Sequence, residues 1–275
     1  MQLHGVAEWE PIARLGAFLA LAVIFWTVEW LIPRRLDAPL RVPRQFVNLA
    51  LVAINTVVLR LAVPLLAVDM ARLAADQQWG LLNWFDLSGW PAVLLAFVIL
   101  DLVVYWQHRL FHRWSLAWRF HRMHHSDTFF DVSTGVRFHP LEIMASMAIK
   151  IAVVAALGAP ALGVILFEIV LNGSSLFNHS NVRIWSALER AIRLVIVTPD
   201  MHRVHHSVLA VEHNKNFGFN LSVWDRLFGT YRHAPKDGHT AMQLGLSQFR
   251  APKDQTLTRL LVQPFAGGSR QASIP

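Results

Sequence analysis

The chain has 275 residues, of which 54% are hydrophobic and 16% charged, and its formal net charge is +7. Soluble domains carry about a quarter charged residues, so this composition favours a membrane protein. The absence of cysteine excludes disulfides, thiolate nucleophiles, cysteine-ligated zinc and cysteine-held iron–sulfur clusters. Because much of the positive charge flanks apolar runs, as on the cytoplasmic side of membrane proteins, we do not expect a nucleic-acid partner.

Four apolar runs predict the membrane-spanning part of the chain. Residues 15–33, 46–68 and 90–106 each approach the roughly 20 apolar residues that one crossing needs. Residues 143–177 form a longer run, which Gly158 and Pro160 divide into two halves. This pattern predicts three long membrane helices and a helical hairpin, which crosses twice or dips into the bilayer and returns.

The loops between the runs differ in charge, and this difference predicts an orientation. Residues 34–45 contain four arginines and one aspartate, whereas residues 69–89 contain three aspartates and one arginine. By the positive-inside rule the N-terminus lies outside, and residues 34–45 and everything from about residue 107 lie in the cytoplasm. The hairpin adds an even number of crossings or none, so both histidine-rich stretches, 108–139 and 179–213, share the cytoplasmic face. The N-terminal residues do not resemble a cleaved signal peptide.

Three histidine clusters stand out from the rest of the sequence: HRLFH, HRMHH and HRVHH. On a helix, the offsets of 0, 3 and 4 residues in HxxHH fall within an arc of roughly 100°, so one helical turn can offer ligands to two neighbouring ions. A random chain of this composition would contain HxxHH about 0.04 times. The two HxxHH clusters are therefore a specific signal, while the single HxxxH is a weak one.

Metal binding explains this density of imidazoles. Protonated imidazoles packed together repel one another, and neutral ones each need a partner for the second nitrogen; a divalent metal meets both needs. The expected ligands are His108, His112, His121, His124, His125, His202, His205 and His206. His139 and His179 lie just outside the hairpin and are candidates for either ligation or a structural role. His213 is expected beside the ligands, and His4, His233 and His239 are expected to take no part.

Several polar residues are candidates to hydrogen-bond the ligands. Asp101 lies seven residues before His108, on the same face of the predicted helix, where it would accept a ligand's N–H or pair with Lys150. The other candidates are Asp127, Asp131, Glu142 and Asn216. In the segment WDRLFGTY, Trp224, Asp225 and Arg226 are expected to pack against the last cluster.

The order of these clusters, with the flanking HHSDTFFDVSTGVRFHPLE and NKNFGFNLSVWDRLFGTY, closely resembles the fatty acid hydroxylase/sterol desaturase superfamily of membrane di-iron enzymes. The resemblance runs from about residue 101 to residue 231. It implies that the eight cluster histidines are the catalytic metal-binding core, with His139 and His179 as further ligands. It also implies oxygen-dependent hydroxylation or desaturation of a fatty acyl, sterol, ether-lipid or carotenoid substrate.

The resemblance implies two iron ions, because only a redox metal activates dioxygen, although zinc can occupy such a nitrogen site in purified protein. Some members of the superfamily carry a fused cytochrome b5 domain, for which we find no haem motif. We therefore expect a separate electron donor of the ferredoxin or cytochrome b5 type.

Two other functions fit parts of the pattern. A membrane hydrolase could use zinc-bound hydroxide, but the sequence lacks HExxH. A metal transporter would place its ligands near the middle of the bilayer, whereas these histidines fall outside the apolar runs. We therefore predict an all-α membrane bundle with a cytosolic histidine-rich cap. Its expected parts are membrane helices in 1–100, a catalytic domain in 101–235 with the hairpin 143–177 inserted, and a polar tail in 236–275.

Overall fold

The computed structural model describes residues 6–36 and 41–267, so His4 lies outside the described residues. The secondary structure within these ranges is helical, apart from three isolated β-bridges. The α-helices in chain order are α1 (Val6–Leu31), α2 (Arg41–Ala62), α3 (Ala67–Asp76), α4 (Leu81–Trp84), α5 (Gly89–Arg113), α6 (Ser115–His125), α7 (Pro140–Leu157), α8 (Ala161–Asn178), α9 (Ser186–Ile192), α10 (Pro199–His205), α11 (Ala210–His213), α12 (Val223–Leu227), α13 (Gly238–Ala241) and α14 (Leu257–Val262).

Five of the described segments are long and apolar enough to cross a membrane. They are Glu10–Leu31, Val42–Trp84, Gly89–Arg113, Pro140–Leu157 and Ala161–Asn178. Large apolar side chains such as Leu19, Leu61 and Leu94 lie exposed on their outer faces, as expected for surfaces that contact lipid. The predicted all-helical membrane fold is confirmed.

The second apolar run is less continuous than its composition indicates. Helix α2 ends at Ala62, and α3 begins only at Ala67. Pro64 lies between them, and proline lacks the amide hydrogen of a helix interior and disfavours helical geometry in the residue before it. The third run shows the opposite behaviour, because α5 continues past residue 106 and carries both histidines of the first cluster.

The fourth run folds as two successive helices, α7 and α8. Each has 18 residues and is therefore about 27 Å long. Gly158 ends α7 with a φ of 65°, and a Cβ atom there would lie 2.3 Å from the carbonyl oxygen of Trp79. Only glycine satisfies both the left-handed conformation and this close approach.

The membrane helices pack closely because small residues line their contacts. Ala92 and Ala96 of α5 are buried, and a Cβ atom on Gly163 of α8 would lie 3.4 Å from the backbone of Val93. Ala71 and Phe167 belong to the same core. Small side chains let helix backbones approach each other, which is the main route to tight packing in a membrane.

The segments 114–139 and 179–267 cover one end of the bundle and form its cap. The end of α1 is attached to the cap by the carboxylate of Glu29, which accepts the backbone N–H groups of Val132 and Asn181, each at 2.9 Å. The segment 236–267, expected to be a polar tail, packs into the cap, where Leu260 is buried against Leu51 and Met123.

Candidate metal centre

Nine histidines form two buried groups at the junction of bundle and cap. In each group, one ring nitrogen from every member lies within 4.8 Å of the corresponding nitrogen of every other member. The five-histidine group consists of His108, His112, His121, His125 and His205. The four-histidine group consists of His124, His179, His202 and His206.

Each HxxHH cluster divides between the two groups, and helical geometry explains the division. In the second cluster, His121 and His125 are four residues apart and share a face of α6, while His124 points to the other group. In the third, His202 and His206 lie in the four-histidine group and His205 lies in the other. One turn of helix thus supplies both groups, which the spacing had predicted.

The distances between ring nitrogens fit shared metal ions. The Nε2 atom of His179 lies 3.1 Å from Nε2 of both His124 and His202. The Nε2 atom of His125 lies 3.0 Å from that of His112 and 3.2 Å from that of His121. Two nitrogens that each lie about 2.1 Å from one ion at a right angle are roughly 3 Å apart. The donor set therefore fits one ion in each group.

Hydrogen bonds fix the orientation of several rings in the five-histidine group. His108 Nδ1 and His205 Nδ1 lie 2.8 Å from the carbonyl oxygens of Phe217 and Lys215, and His121 Nδ1 lies 2.6 Å from Glu142 Oε1. An Nδ1–H that donates to such an acceptor leaves Nε2 free as a ligand. The Nε2 atoms of His108 and His205 are buried and have no hydrogen-bond partner, as expected for metal ligands.

The four-histidine group is supported by backbone carbonyls. His179 Nδ1 lies 2.7 Å from the oxygen of Ser175, one turn back along α8, and His124 Nδ1 lies 3.3 Å from the oxygen of Arg137. The ring of His124 also stacks on Phe138, with centroids 4.5 Å apart and an interplanar angle of 11°. These contacts again direct Nε2 towards the other histidines of the group.

Burial keeps these imidazoles neutral. Removal from water lowers the pKa well below the usual 6.5 for the cap histidines, and the charges of neighbouring histidines lower it further. The residues concerned are His124, His125, His202, His205 and His206. For His179, burial lowers the pKa to about 4. A neutral imidazole binds a metal without first losing a proton.

His139 and His213 lie outside both groups. His139 Nδ1 accepts the N–H of Leu141 at 3.1 Å and so caps the start of α7, while its Nε2 lies 3.1 Å from the carbonyl oxygen of Leu261. His213 stacks on Trp118, with centroids 5.7 Å apart, next to the five-histidine group. His233, on the surface of the cap, contacts Arg193.

Asp101 and Asp225 position the loop that follows the third cluster. Asp101 accepts the N–H groups of Asn220 and Leu221 and the indole N–H of Trp224, at 2.8–3.3 Å, rather than a histidine N–H or Lys150. Asp225 accepts the N–H of Phe217 at 2.8 Å, and the carbonyl of Phe217 faces His108. These carboxylates therefore act on the centre through the backbone.

Two further carboxylates and an amide hold the other loops of the cap. Asp127 and Asp131 both pair with Arg44 of α2, and Asp127 also accepts from Thr134 at 2.9 Å. Asn216, with a φ of 56°, bonds the carbonyl oxygens of Met201 and Arg232 at 2.9 Å. None of these contacts reaches a ring nitrogen of the nine grouped histidines, whereas Glu142 contacts His121.

Arg44 and Arg137 are important residues that the sequence did not indicate. Arg137 is fully buried and donates to Met123 O, Ser126 and Gln255. The backbone carbonyl groups that contact the Nδ1 atoms of His108, His124, His179 and His205 could not be predicted either, because every residue type has a carbonyl. The position of Arg137 within the histidine-rich stretch, two residues before His139, is a signal that could have pointed to this support.

The fold and the centre together define a membrane-embedded helical protein with a two-site histidine cluster, and sequence comparisons place it in a family. The sequence profile of the fatty acid hydroxylase family matches residues 93–230, about half of the chain, and the chain belongs to that family. This confirms the resemblance noted in the sequence.

Characterised relatives extend the comparison. The ornithine lipid hydroxylase OlsE of Rhizobium tropici is 33% identical over 189 residues, which cover 67% of this chain and 54% of that protein. The alkylglycerol monooxygenase of Danio rerio is 31% identical over 137 residues, 50% of this chain and 30% of that protein. The human alkylglycerol monooxygenase is 30% identical over 136 residues, which cover 50% of this chain and 29% of that protein. The chain thus spans about half or less of these relatives, and no solved structure matches it.

Proposed function

We propose that this protein is an oxygen-dependent hydroxylase of a membrane lipid, with two iron ions held by the five- and four-histidine groups. The observation that carries the proposal is the pair of buried, all-imidazole groups facing a cavity among membrane helices. Relatives named as an ornithine lipid hydroxylase and alkylglycerol monooxygenases support lipid oxidation. Family membership supports iron, which the imidazole donors also suit.

When bound, the metal pair would supply dioxygen activation; the residues of the chain supply positioning and dryness. In the overall reaction one oxygen atom enters a C–H bond and the other leaves as water, with two electrons and two protons consumed. The carboxylate of Glu142 and the carbonyl groups of Phe217 and Lys215 orient three histidine rings. They contact the Nδ1 atoms of His121, His108 and His205, respectively. The buried residues of the cap, including Phe130 and Met123, exclude water from the side of the metal centre that faces away from the bundle.

The electrons would come from a separate protein of the ferredoxin or cytochrome b5 type. By the positive-inside rule, the cap faces the cytoplasm, where such donors are available, and the bundle lies in the bilayer with the lipid. This orientation gives the protein access to an electron donor from one side and to a lipid substrate from within the membrane.

The proposal is tested by expressing the protein with isotopically labelled dioxygen and comparing lipid extracts by mass spectrometry. Wild-type protein should produce a lipid carrying one labelled oxygen atom, and His205→Ala should abolish it and reduce bound metal. His233→Ala, the same substitution at an exposed histidine, should behave as wild type. Unlabelled product, or full activity of His205→Ala and likewise of His124→Ala, would contradict the proposal.

A further inference from the structure

A cavity of about 520 Å³ lies among α1, α2, α5, α7 and α8 and reaches the metal centre. Its wall includes His108, His121 and His124, and apolar side chains such as Phe18 and Val104. A mostly apolar cavity in a membrane bundle fits an acyl or alkyl chain. The few polar atoms in its wall therefore indicate where a polar group of the ligand would lie.

One polar side chain of this wall is that of Asn55, on α2. The side chain is only 8% exposed, and its Nδ2 donates to the carbonyl oxygen of Phe138 at 2.9 Å. Because a carbonyl oxygen can only accept, this bond fixes which end of the amide is the nitrogen. Oδ1 is buried without a hydrogen-bond partner.

The second is the side chain of Glu142, at the start of α7. This side chain is 4% exposed, and its Oε1 receives the Nδ1–H of His121 at 2.6 Å. Oε2 is buried and has no partner. Buried polar atoms without partners are rare, because they lose their bonds to water and gain nothing in return. Two in one cavity indicate a ligand that supplies donors.

Both atoms belong to the histidine end of the cavity. Glu142 touches His121 of the five-histidine group, and Asn55 bonds to Phe138, whose ring stacks on His124 of the four-histidine group. Among the described cavity-lining side chains, the remaining buried atom without a partner is Nε2 of His108, a proposed ligand. The free acceptors therefore lie beside the metal centre.

The polar groups at the other end of the cavity are already paired. Lys150 lies eight residues after Glu142 on α7, about 12 Å along the helix. It pairs with Glu168 at 2.6 Å, and Glu168 pairs with Arg14 at 2.7 Å. These residues close the wall of the cavity without offering a free donor or acceptor equivalent to Asn55 or Glu142.

We propose that Asn55 and Glu142 accept hydrogen bonds from a hydroxyl or amino group of the lipid, so that its polar end lies beside the metal centre. The apolar chain then extends towards Lys150 and Glu168. This inference rests on the proposed hydroxylase function. It specifies a substrate class, lipids with a hydrogen-bond donor close to the oxidised carbon, and it places oxidation near the polar end of the chain.

The test compares three probes with one alkyl chain: hexadecanol, hexadecylamine and hexadecyl methyl ether. Iron-loaded protein is supplied with dioxygen and a chemical reductant, and kcat/KM and the position of the new oxygen are measured. The alcohol, the amine or both should be oxidised at least about tenfold more efficiently than the ether, near the polar end. The better of the two donor probes identifies the donor group. Equal values for all three, or oxygen at the methyl end, would overturn the inference.

Matched variants connect the preference to Asn55. Asn55→Leu should reduce the preference for a donor probe over the ether roughly tenfold, mainly by slowing the donor probe. Asn172→Leu, the same substitution at another cavity-lining asparagine, should leave the preference unchanged. An equal effect of both variants would contradict a specific role for Asn55. Metal content equal to wild type verifies that each variant folds.

A binding measurement without dioxygen separates this inference from the proposed function. If the protein gives no labelled lipid and oxidises no probe but binds the alcohol or amine more tightly than the ether, the hydroxylase proposal fails and the polar-end binding site stands. If it oxidises all three equally, the hydroxylase proposal stands and this inference fails.

Discussion

The two histidine groups are built from the same sequence clusters but are supported differently. The five-histidine group has one more donor, and one of its rings is held by the carboxylate of Glu142. The four-histidine group is oriented through backbone carbonyls, those of Ser175 and Arg137. A carboxylate partner makes an imidazole a stronger ligand than a carbonyl partner does. We therefore expect the five-histidine group to hold its metal more firmly and the other group to keep more positions free.

Removing one ligand from each group tests this difference and should give the largest effect. His202→Ala leaves three imidazoles in the four-histidine group, so roughly one ion per chain should be lost. His112→Ala leaves four in the other group, so a smaller loss of metal is expected there. Metal content measured by mass spectrometry after dialysis against a weak chelator checks this. Equal losses in the two variants would remove the proposed asymmetry, and His233→Ala serves as the unaffected control.

Replacing the carboxylate of Glu142 measures its contribution to the metal affinity of the five-histidine group. Glu142→Gln cannot accept from His121 as an anion, and loss of such a partner lowers metal affinity about 10–100-fold. Competition with a chelator should show this weakening for one of the two ions only. Glu212→Gln is the matched control, because Glu212 is buried but bonds Arg232 and the backbone of Lys236 instead of a group histidine. Weakening of both ions would show that the two groups are not independent.

Asp225 and Asp127 contact the backbone that supports the histidines, so replacing each should affect one group, with a smaller loss of metal affinity. Asp225→Asn should disturb the loop that presents Phe217 O to His108, and Asp127→Asn should disturb the loop from Thr134 to Arg137, whose carbonyl faces His124. Each should reduce the free energy of unfolding by about 1–2 kcal/mol. Thermal unfolding and metal titration should show Asp225→Asn weakening the five-histidine group and Asp127→Asn the other. The reverse pattern would be incompatible with these contacts.

Local spacing was sufficient to predict the membrane hairpin and the shared use of each HxxHH cluster. The hairpin follows from the length of the apolar run and its break at Gly158 and Pro160, and the shared clusters follow from helical periodicity; both signals are readable from the residues alone. The choice between His139 and His179 was not readable in this way. Each lies just outside the hairpin, yet the end of α8 brings His179 to His202, while His139 caps the start of α7 and bonds the C-terminal segment.

The C-terminal segment shows a second limit of sequence reasoning. Its polar composition gave no sign that Leu260 would be buried against Met123, within the second histidine cluster. Such a contact depends on how residues more than a hundred positions apart meet. The carbonyl supports of the histidines share this property, because they arise from the path of the backbone rather than from a side chain.

His139 provides the smallest expected effect and the sharpest check on the membership of the two groups. Its Nδ1 caps α7 by accepting the N–H of Leu141, and asparagine is among the best residues at this position. We therefore expect His139→Asn to keep both metal ions and the cap of α7, and to lose only the contact of Nε2 with the carbonyl oxygen of Leu261. His139→Ala should also keep both ions but lose about 1 kcal/mol of stability, because the first turn of α7 then has an unpaired N–H.

The same two substitutions at His179 give the contrast. Both His179→Asn and His179→Ala remove an imidazole from the four-histidine group, so metal should be lost in both variants. Metal content and thermal unfolding, measured side by side for the four variants, separate a capping histidine from a ligand. If His139→Asn lost an ion while remaining folded, His139 would act as a ligand, and the division into five and four would have to be revised. Retention of both ions would leave α7 contributing to the centre through Glu142 alone.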